Sequence, residues 1–234
     1  MRELLLCPPD YYGIEYEINP WMSRARGAET ELAKSQWQGL HKTLASLDSK
    51  IELVRPQPKL PDMVFTANAG LAVGRKFIPS NFRHQERAGE APYFVRWMEE
   101  HGYEVLRLPE NLYFEGEGDA LFGGDALFCG YKFRSDIQSH RAVADMLGCL
   151  VISVELVDPR FYHLDTCFCP LPEVVTDSLQ AQRLIRAKIE GASLALLLGT
   201  MVHSFAVANM LPATVKILVV DINPTSVATC RKEL

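Results

Sequence analysis

Residues 68–83, NAGLAVGRKFIPSNFR, and residues 119–134, DALFGGDALFCGYKFR, form a faint internal repeat. Each copy has two short apolar runs on either side of a glycine turn, which predicts strand, turn and strand. Each copy then continues through a helical pattern into a further apolar run. Recurrence of such a unit at about 50 residues predicts a propeller-like array with an α/β fold.

The elements that complete each unit follow the two hairpins. Helices are predicted over residues 91–101 and 137–147, and each is followed or ended by a glycine, Gly102 or Gly148, as helix C-termini often are. The third strands are predicted over residues 103–108 and 149–157. Before the repeat, the patterns predict strands over residues 3–7 and 51–54 and an amphipathic helix over residues 28–47.

The composition changes after Leu171. Residues 178–189 predict a helix, and the apolar runs 194–199 and 216–220 are typical of strands in a buried parallel sheet. Asp221 ends the second run, where a dinucleotide-binding fold carries the acid that holds a ribose. The glycine-rich fingerprint of that fold is missing, so a structural strand end is the alternative reading of Asp221.

The composition of the chain limits the classes of function that it can have. The chain has 234 residues, is 48% hydrophobic and carries a net charge of −5. It shows no Lys/Arg cluster typical of nucleic-acid binding and no run of roughly 20 apolar residues that would cross a membrane. The N-terminus lacks a signal-peptide pattern, so we expect a cytoplasmic protein whose six cysteines are buried thiols rather than disulfides. Cys167-Phe-Cys169 lacks a second ligand pair, so no metal site is expected.

A histidine and an aspartate lie two residues apart in the run FYHLDTCFCPL, residues 161–171. The run alternates like a strand, and residues two apart on a strand face the same side. His163 and Asp165 are therefore predicted to share one pocket, as a general base and an acid that grips a cation. The alternative is a half-buried strand in which the two side chains simply pair with each other.

Further polar clusters complement this pair. The segment 114–119, FEGEGD, sets three acids among glycines, which suits a cation rather than a phosphate. Arginines at 83, 87 and 134 suit a carboxylate. Acids for a cationic head, arginines for an anionic tail and a histidine for proton transfer fit an amino acid with a guanidinium side chain. The alternative for each cluster alone is an exposed turn or a surface ion pair.

These motifs resemble the guanidine-modifying pentein superfamily, which includes arginine deiminase, dimethylarginine dimethylaminohydrolase and amidinotransferases. The resemblance covers residues 1–171 and rests on DMVFTANAGL (62–71), FEGEGDAL (114–121), GYKFRSD (130–136) and DPRFYHLDTCF (158–168). It is strongest to the arginine dihydrolase type, which converts arginine to ornithine, carbon dioxide and ammonia. It implies a five-bladed α/β propeller of ββαβ units, here incomplete, and no cofactor for this domain.

The resemblance also implies a role for each matching residue. His163 would be the general acid/base and Glu115 its carboxylate partner. Asp165 would grip the guanidinium nitrogens, and Asn68 stands where deiminases carry an acid. The remaining three would hold the backbone end of arginine: Asn19, Arg87 and Arg134. Arg83 stays open as the alternative to Arg87, since the internal repeat aligns Arg83 with Arg134.

One departure from the family pattern concerns the nucleophile. The family attacks the guanidinium carbon with a cysteine thiolate in a glycine-rich turn beyond the His-x-Asp segment, and no such turn follows here. The candidates in this chain are Cys167, Cys169 and Cys230, none of them well placed. This leaves two alternatives to a hydrolase, a guanidinium-binding remnant without turnover and an amidinotransferase.

The tail resembles a second domain. Residues 172–234 are similar to the dinucleotide-binding domain of bifunctional arginine dihydrolase–ornithine cyclodeaminase proteins, which are related to saccharopine dehydrogenase. The resemblance implies NAD(P) for an intact domain, with Asp221 at the cofactor, and an NAD-linked fragment as a further alternative function. We expect the junction at Leu171 to leave an open propeller edge, which favours a homo-oligomer.

Overall fold

The computed structural model describes residues 2–47 and 49–170, residue 183, and the strand segments 194–198 and 216–220. The chain divides into two compact units, Met1–Pro170 and Leu171–Leu234. None of the helices in the described part is long and apolar enough to span a membrane.

The first unit begins with a strand, a helix and a second strand. Strand β1 (Arg2–Leu6) leads through a long loop to helix α1 (Thr30–Ala45) and strand β2 (Ser49–Leu53). β1 and β2 pair in parallel, with Leu4 opposite Ile51. All three elements match the sequence predictions to within a few residues.

Two ββαβ units follow, as the internal repeat predicts. The first comprises β3 (Gly70–Val73), β4 (Lys76–Pro79), the short α2 (Gln85–Ala88), α3 (Ala91–Glu100) and β5 (Glu104–Val105). The second comprises β6 (Ala120–Gly123), β7 (Ala126–Tyr131), α4 (Ile137–Leu147) and β8 (Leu150–Glu155). In both sheets the middle strand pairs antiparallel with the first strand and parallel with the third. The third strand of the first unit is shorter than the predicted 103–108.

Two apolar cores pack these helices and sheets against each other. Phe94, Val95 and Met98 of α3 pack with Phe77 of β4 and Cys7, which follows β1. The second core joins the two repeat units, because it contains residues from both sheets and from α4: Leu71, Ile78, Phe114, Ala120, Leu127, Cys129 and Val143. Burial of such side chains contributes roughly 1.5–3 kcal/mol each. The two cores therefore fix the relative positions of the strand ends, where the polar residues lie.

The prediction of a strand over residues 161–171 is wrong. His163 is extended (φ −126°, ψ 153°), but Leu164–Thr166 forms a 3₁₀ turn. The turn is stabilised from within, since Thr166 Oγ1 donates to the His163 carbonyl at 2.6 Å. It is also held from outside, since the Leu164 N–H donates to Asp119 Oδ1 at 3.0 Å. The alternation of apolar and polar residues in this run therefore does not put His163 and Asp165 on one face of a strand.

The second unit is described only in part. Strands β9 (Leu194–Leu198) and β10 (Lys216–Val220) pair in parallel, with Leu194 opposite Lys216. This agrees with the predicted parallel strands. The predicted helix 178–189 lies outside the described residues except for residue 183, which is helical.

Candidate active site

The acid–glycine loop, residues 115–119, forms the floor of the candidate site. Gly116 has φ +60°, and a Cβ there would lie 2.6 Å from the Gly70 carbonyl oxygen. A Cβ at Gly118 would overlap the Asn68 Nδ2 atom and lie 3.1 Å from His163 Nδ1. Glycine at these positions therefore lets the loop backbone approach β3, Asn68 and His163 more closely than any other residue would.

His163 lies between two carboxylates of this loop. Its Nε2 is 3.3 Å from Glu115 Oε2, and its Nδ1 is 3.4 Å from Asp119 Oδ2, though the second contact lacks hydrogen-bond geometry. All three side chains are buried. Burial by itself would lower the pKa of His163, but Asp119 and Glu115 raise it to about 9. His163 is therefore an imidazolium at neutral pH and can give up a proton.

Glu115 connects the histidine to the two repeat units. Its Oε1 accepts from the Arg83 backbone N–H at 3.1 Å, and its Oε2 accepts from Arg134 Nη1 at 3.1 Å. Burial would raise the pKa of Glu115, but His163 and the nearby arginines lower it to about 2. The Glu115 carboxylate is therefore ionised at all physiological pH values.

Asp119 is anchored by other polar groups. Its Oδ2 accepts from Ser135 Oγ at 2.6 Å, and its Oδ1 accepts from the Leu164 N–H. The Ser135 hydroxyl in turn accepts from the Glu115 N–H at 3.0 Å. Ser135 Oγ therefore links the Asp119 carboxylate to the backbone of Glu115.

Arg134 reaches the loop between β1 and α1. Its Nη2 donates to the Ile18 carbonyl at 2.9 Å, and its guanidinium lies 4.9 Å from the centre of the Tyr162 ring. Asn19 follows directly and accepts from the backbone N–H groups of Trp21 and Met22. Arg134 therefore lies against the peptide group that joins Ile18 to Asn19, while the Asn19 side chain is bonded within its own turn.

A second buried cluster lies behind Asn68. Arg87 donates from Nη1 to Asn68 Oδ1 at 2.9 Å, and from Nε and Nη2 to the two carboxylate oxygens of Glu90 at 2.8 Å each. Arg87 also donates to the Asp62 carbonyl at 3.1 Å. Asp62 Oδ1 and the Tyr16 hydroxyl are buried and have no hydrogen-bond partner in the described part of the chain. The repeat-related Arg83 instead pairs with Asp136 and lies over Tyr113.

The remaining predicted residues are more peripheral or lie outside the described part. Asp165 is exposed, in the 3₁₀ turn after His163. Asp221 and Cys230 lie outside the described residues. Among residues 2–47 and 49–170, no group of three or more His, Cys, Asp or Glu side chains has the arrangement of a metal site.

The described cysteines are free thiols. Burial raises the pKa of Cys7 and of Cys129 to about 12. Desolvation, opposed by Thr166 and reinforced by Asp165 and Asp119, also raises the pKa of Cys167. Cys169 is exposed. None of the described thiols with a shifted pKa is thus activated as a thiolate nucleophile.

Two contributors to the site were not identified from the sequence. The sequence places Asp119 among the acids of the 114–119 loop but does not indicate that it is the second carboxylate of His163. The repeat aligns Asp119 with Asn68, and this alignment is the sequence signal that both residues belong to one site. Glu90 follows a short helix and carries no motif, so its pairing with Arg87 was not predictable from spacing.

Comparisons with known proteins match both parts of the chain. The family model described as "N,N dimethylarginine dimethylhydrolase, eukaryotic" matches residues 16–176. The model described as "Arginine dihydrolase ArgZ-like, C-terminal, Rossmann fold" matches residues 168–232.

Two curated relatives illustrate the similarity. The bifunctional arginine dihydrolase/ornithine cyclodeaminase ArgZ of Synechocystis sp. is 51% identical over 171 residues, which are 72% of this chain and 24% of ArgZ. The N(G),N(G)-dimethylarginine dimethylaminohydrolase of Mycobacterium tuberculosis is 40% identical over 172 residues, or 74% of this chain and 56% of that enzyme. The chain thus spans about a quarter of the ArgZ length.

Solved structures agree with these matches. The product-bound N-terminal domain of ArgZ has a TM-score of 0.76 at 36% identity and covers 97% of this chain and 93% of that domain. AgrE in complex with ornithine and NAD⁺ has a TM-score of 0.75 at 34% identity, covering 97% of this chain and 37% of AgrE.

Proposed function

Because the chain belongs to the guanidine-modifying pentein superfamily, close to the ArgZ and AgrE arginine dihydrolases, we propose that residues 1–171 act on the guanidino group of arginine. The reaction of the dihydrolase type is arginine plus two waters to ornithine, carbon dioxide and two ammonia. The observation that carries the proposal is the buried His163 imidazolium, held between Glu115 and Asp119 beside the Asn68 amide.

The proposed role of His163 follows from its charge. In the family mechanism a cysteine thiolate adds to the guanidinium carbon, and His163, as a general acid, donates a proton to the nitrogen that then leaves as ammonia. The neutral imidazole afterwards takes a proton from the water that displaces the thiolate from the same carbon. Glu115 stabilises the cationic form throughout, because it is ionised and buried. Asp165 is exposed on the turn that follows His163 and is proposed to grip the guanidinium nitrogens.

The proposed binding of the backbone end of arginine uses the other side of the site. Arg134 donates to the carbonyl of Ile18, the residue before Asn19, and Arg134 and Asn19 are assigned to the carboxylate and the amino group of the substrate. Arg87 is proposed to act through Asn68 rather than by direct contact, since its guanidinium nitrogens already bind Glu90, Asn68 and the Asp62 carbonyl.

A second candidate function, arginine binding without turnover, is favoured by the cysteines. The family mechanism needs a thiolate, and the pKa values of Cys7, Cys129 and Cys167 are raised. Relatives have been solved as a Cys-to-Ser variant bound to substrate and as a Cys-to-Ala variant with L-arginine. Those complexes support the idea that arginine can be held without the cysteine.

One experiment separates the two functions. The purified chain is incubated with L-arginine, and ornithine, citrulline and ammonia are measured, with arginine binding followed by calorimetry on the same sample. Ornithine and ammonia at a ratio of one to two support the hydrolase. Binding with no product supports the second candidate, and neither binding nor product rejects both. His163→Gln controls for products from contaminating enzymes.

The proposal for residues 172–234 is an NAD(P)-binding segment of the ArgZ type. Its support is the family-model match and the parallel pair β9–β10, after which Asp221 stands as the acid for a ribose. The chemistry that NAD(P) supplies when bound is hydride transfer. Fluorescence titration of the chain with NAD⁺ and NADP⁺, compared with Asp221→Ala, tests the assignment.

Self-association of the chain also stays a prediction. Within the described residues, β1 pairs only with β2, and a free strand edge is a template for pairing with another chain. Sedimentation velocity at several protein concentrations tests it, and a single monomeric species at all of them would reject it.

A further inference from the structure

The hydroxyl of Ser135 is buried beside the two carboxylates that flank His163. Ser135 is completely buried, and its Oγ accepts from the Glu115 N–H at 3.0 Å. Because a backbone donor occupies one lone pair, the hydroxyl proton is directed toward a second partner. That partner is Asp119 Oδ2, which lies 2.6 Å away. The fold therefore fixes the Ser135 hydroxyl as a donor to Asp119.

Asp119 is held at both of its carboxylate oxygens. Oδ1 accepts from the Leu164 N–H at 3.0 Å, and Oδ2 accepts from Ser135. Since Leu164 directly follows His163, the bond at Oδ1 fixes Asp119 relative to the histidine. The bond at Oδ2 acts on the charge instead, because a hydrogen bond donated to a carboxylate stabilises the ionised form and makes it a weaker base.

The ring nitrogen of His163 that faces Asp119 has no hydrogen bond. His163 Nδ1 is 3.4 Å from Asp119 Oδ2, and this buried nitrogen has no hydrogen-bond partner among residues 2–47 and 49–170. An imidazolium carries a proton on both ring nitrogens. The His163 Nδ1–H and the Ser135 hydroxyl are therefore two donors beside the same oxygen, and the hydroxyl makes the shorter contact.

The other charged groups near the imidazole lie elsewhere around it. Glu115 Oε2 faces the opposite nitrogen, Nε2, at 3.3 Å, and Arg134 binds that same oxygen at 3.1 Å. Arg87 lies behind Asn68, and Asp165 is exposed in the turn that follows His163. The charge that acts on Nδ1 is thus that of Asp119, which Ser135 moderates.

We propose that Ser135 is a positioning residue that restrains the contact between Asp119 and His163 and so keeps the imidazolium able to release its proton. The value of this restraint rests on the proposed function, in which His163 is the general acid. A general acid is most effective when its pKa is near the working pH. Asp119 and Glu115 already raise the pKa of His163 to about 9. A full hydrogen bond from Nδ1 to Asp119 would make His163 a weaker acid still.

Titration of the His163 ring nitrogens by NMR in the full chain tests this restraint. In Ser135→Ala the hydroxyl is lost, so Asp119 Oδ2 becomes free to accept from Nδ1–H while Leu164 still holds Oδ1. We therefore expect the pKa of His163 to shift upward, above about 9. A merely structural role predicts the opposite shift, because a loosened site admits water and returns the pKa toward 6.5.

Two further variants complete the experiment. Ser139→Ala is the matched control and should leave His163 unchanged, because Ser139 is also completely buried but its hydroxyl donates to the Asp136 carbonyl at 2.7 Å. Ser135→Cys keeps a side chain of similar size with a weaker donor, so it should give a smaller upward shift than Ser135→Ala. Melting curves identify a Ser135→Ala protein that does not fold, in which case Ser135→Cys decides.

The outcomes distinguish a failure of the restraint from a failure of the proposed function. A His163 pKa that is unchanged or lowered in the Ser135 variants rejects the restraint, and arginine binding by wild type in calorimetry would leave the proposed function standing. If wild type neither binds nor converts arginine, the proposed function is rejected, while an upward shift in Ser135→Ala would still show that Ser135 restrains the contact between Asp119 and His163.

Discussion

His163 Nε2 lies 3.3 Å from Glu115 Oε2, and neither side chain is more than 4% exposed. The ion pair stabilises the fold only while the histidine is protonated and the glutamate is ionised. The described residues that carry the proposed chemistry are therefore also a source of pH-dependent stability.

The first prediction is that stability falls at high pH because of His163. Its pKa is raised from 6.5 to about 9, so its contribution is complete below pH 6.5 and is lost as the pH rises through 9. The shift corresponds to a few kcal/mol as an order of magnitude. Urea unfolding between pH 6 and 10 should show the loss in wild type and a smaller one in His163→Gln.

Glu115 predicts a loss of stability at low pH, in contrast to the loss at high pH that His163 predicts. Its pKa is lowered from 4.5 to about 2, so its contribution is present above pH 4.5 and is lost as the pH falls through 2. The pair is therefore most stabilising between about pH 4.5 and 6.5. His101→Gln, at the exposed end of α3, is the control variant. An alkaline loss that is the same in His163→Gln and wild type would contradict the assignment.

The second prediction concerns Asp119. Replacing it by asparagine removes one of the two charges that raise the pKa of His163 to about 9, so this pKa should fall toward its ordinary value of 6.5. Titration of the ring nitrogens by NMR measures the change. Asp125→Asn, in the exposed turn between β6 and β7, is the matched control and should leave His163 unchanged. Equal effects of the two variants would show that Asp119 does not contact the imidazole.

The repeat predicted most of the backbone but only part of the site. The hairpin, the helix and the third strand recur because each unit buries one apolar face against the next. The spacing of apolar residues that this burial requires can be recognised in the sequence. The run 161–171 carries the same kind of alternation, yet Leu164 is held by Asp119 from a distant loop and turns into a 3₁₀ conformation. Tertiary hydrogen bonds of this kind have no local signal.

The pairing of the buried charges also could not be predicted from the sequence. Arg87 carries a motif that suits a carboxylate ligand, but its partners are Glu90 and Asn68, which folding brings to it. Spacing along the chain places residues on a face of an element. It does not say which of two neighbouring arginines will be buried, and here Arg87 is buried while Arg83 is half-buried at the junction of the repeat units.

The third prediction concerns the close approach at Gly118. Alanine there would overlap the Asn68 amide and press on His163 Nδ1, so Gly118→Ala should lower the melting temperature and abolish arginine binding. Gly39→Ala, in the middle of α1 with open space around it, should instead stabilise by roughly 0.5–1 kcal/mol. Calorimetric melting of both variants checks this, and a Gly118→Ala protein as stable as wild type would rule out the packing described.

The fourth prediction concerns thiol reactivity, which bears on the choice between turnover and binding. A thiol with a raised pKa is a poor nucleophile at neutral pH, so Cys7, Cys129 and Cys167 should react slowly with an amidine-bearing alkylating agent. The reaction is run at pH 7 with and without excess L-arginine, and labelled peptides are assigned by mass spectrometry.

Slow labelling of every described cysteine, unaffected by arginine, supports binding without turnover. Rapid labelling of one thiol that arginine prevents would identify a nucleophile at the His163 site and favour the hydrolase. Cys169→Ser removes an exposed thiol and separates labelling by mere accessibility from labelling by activation.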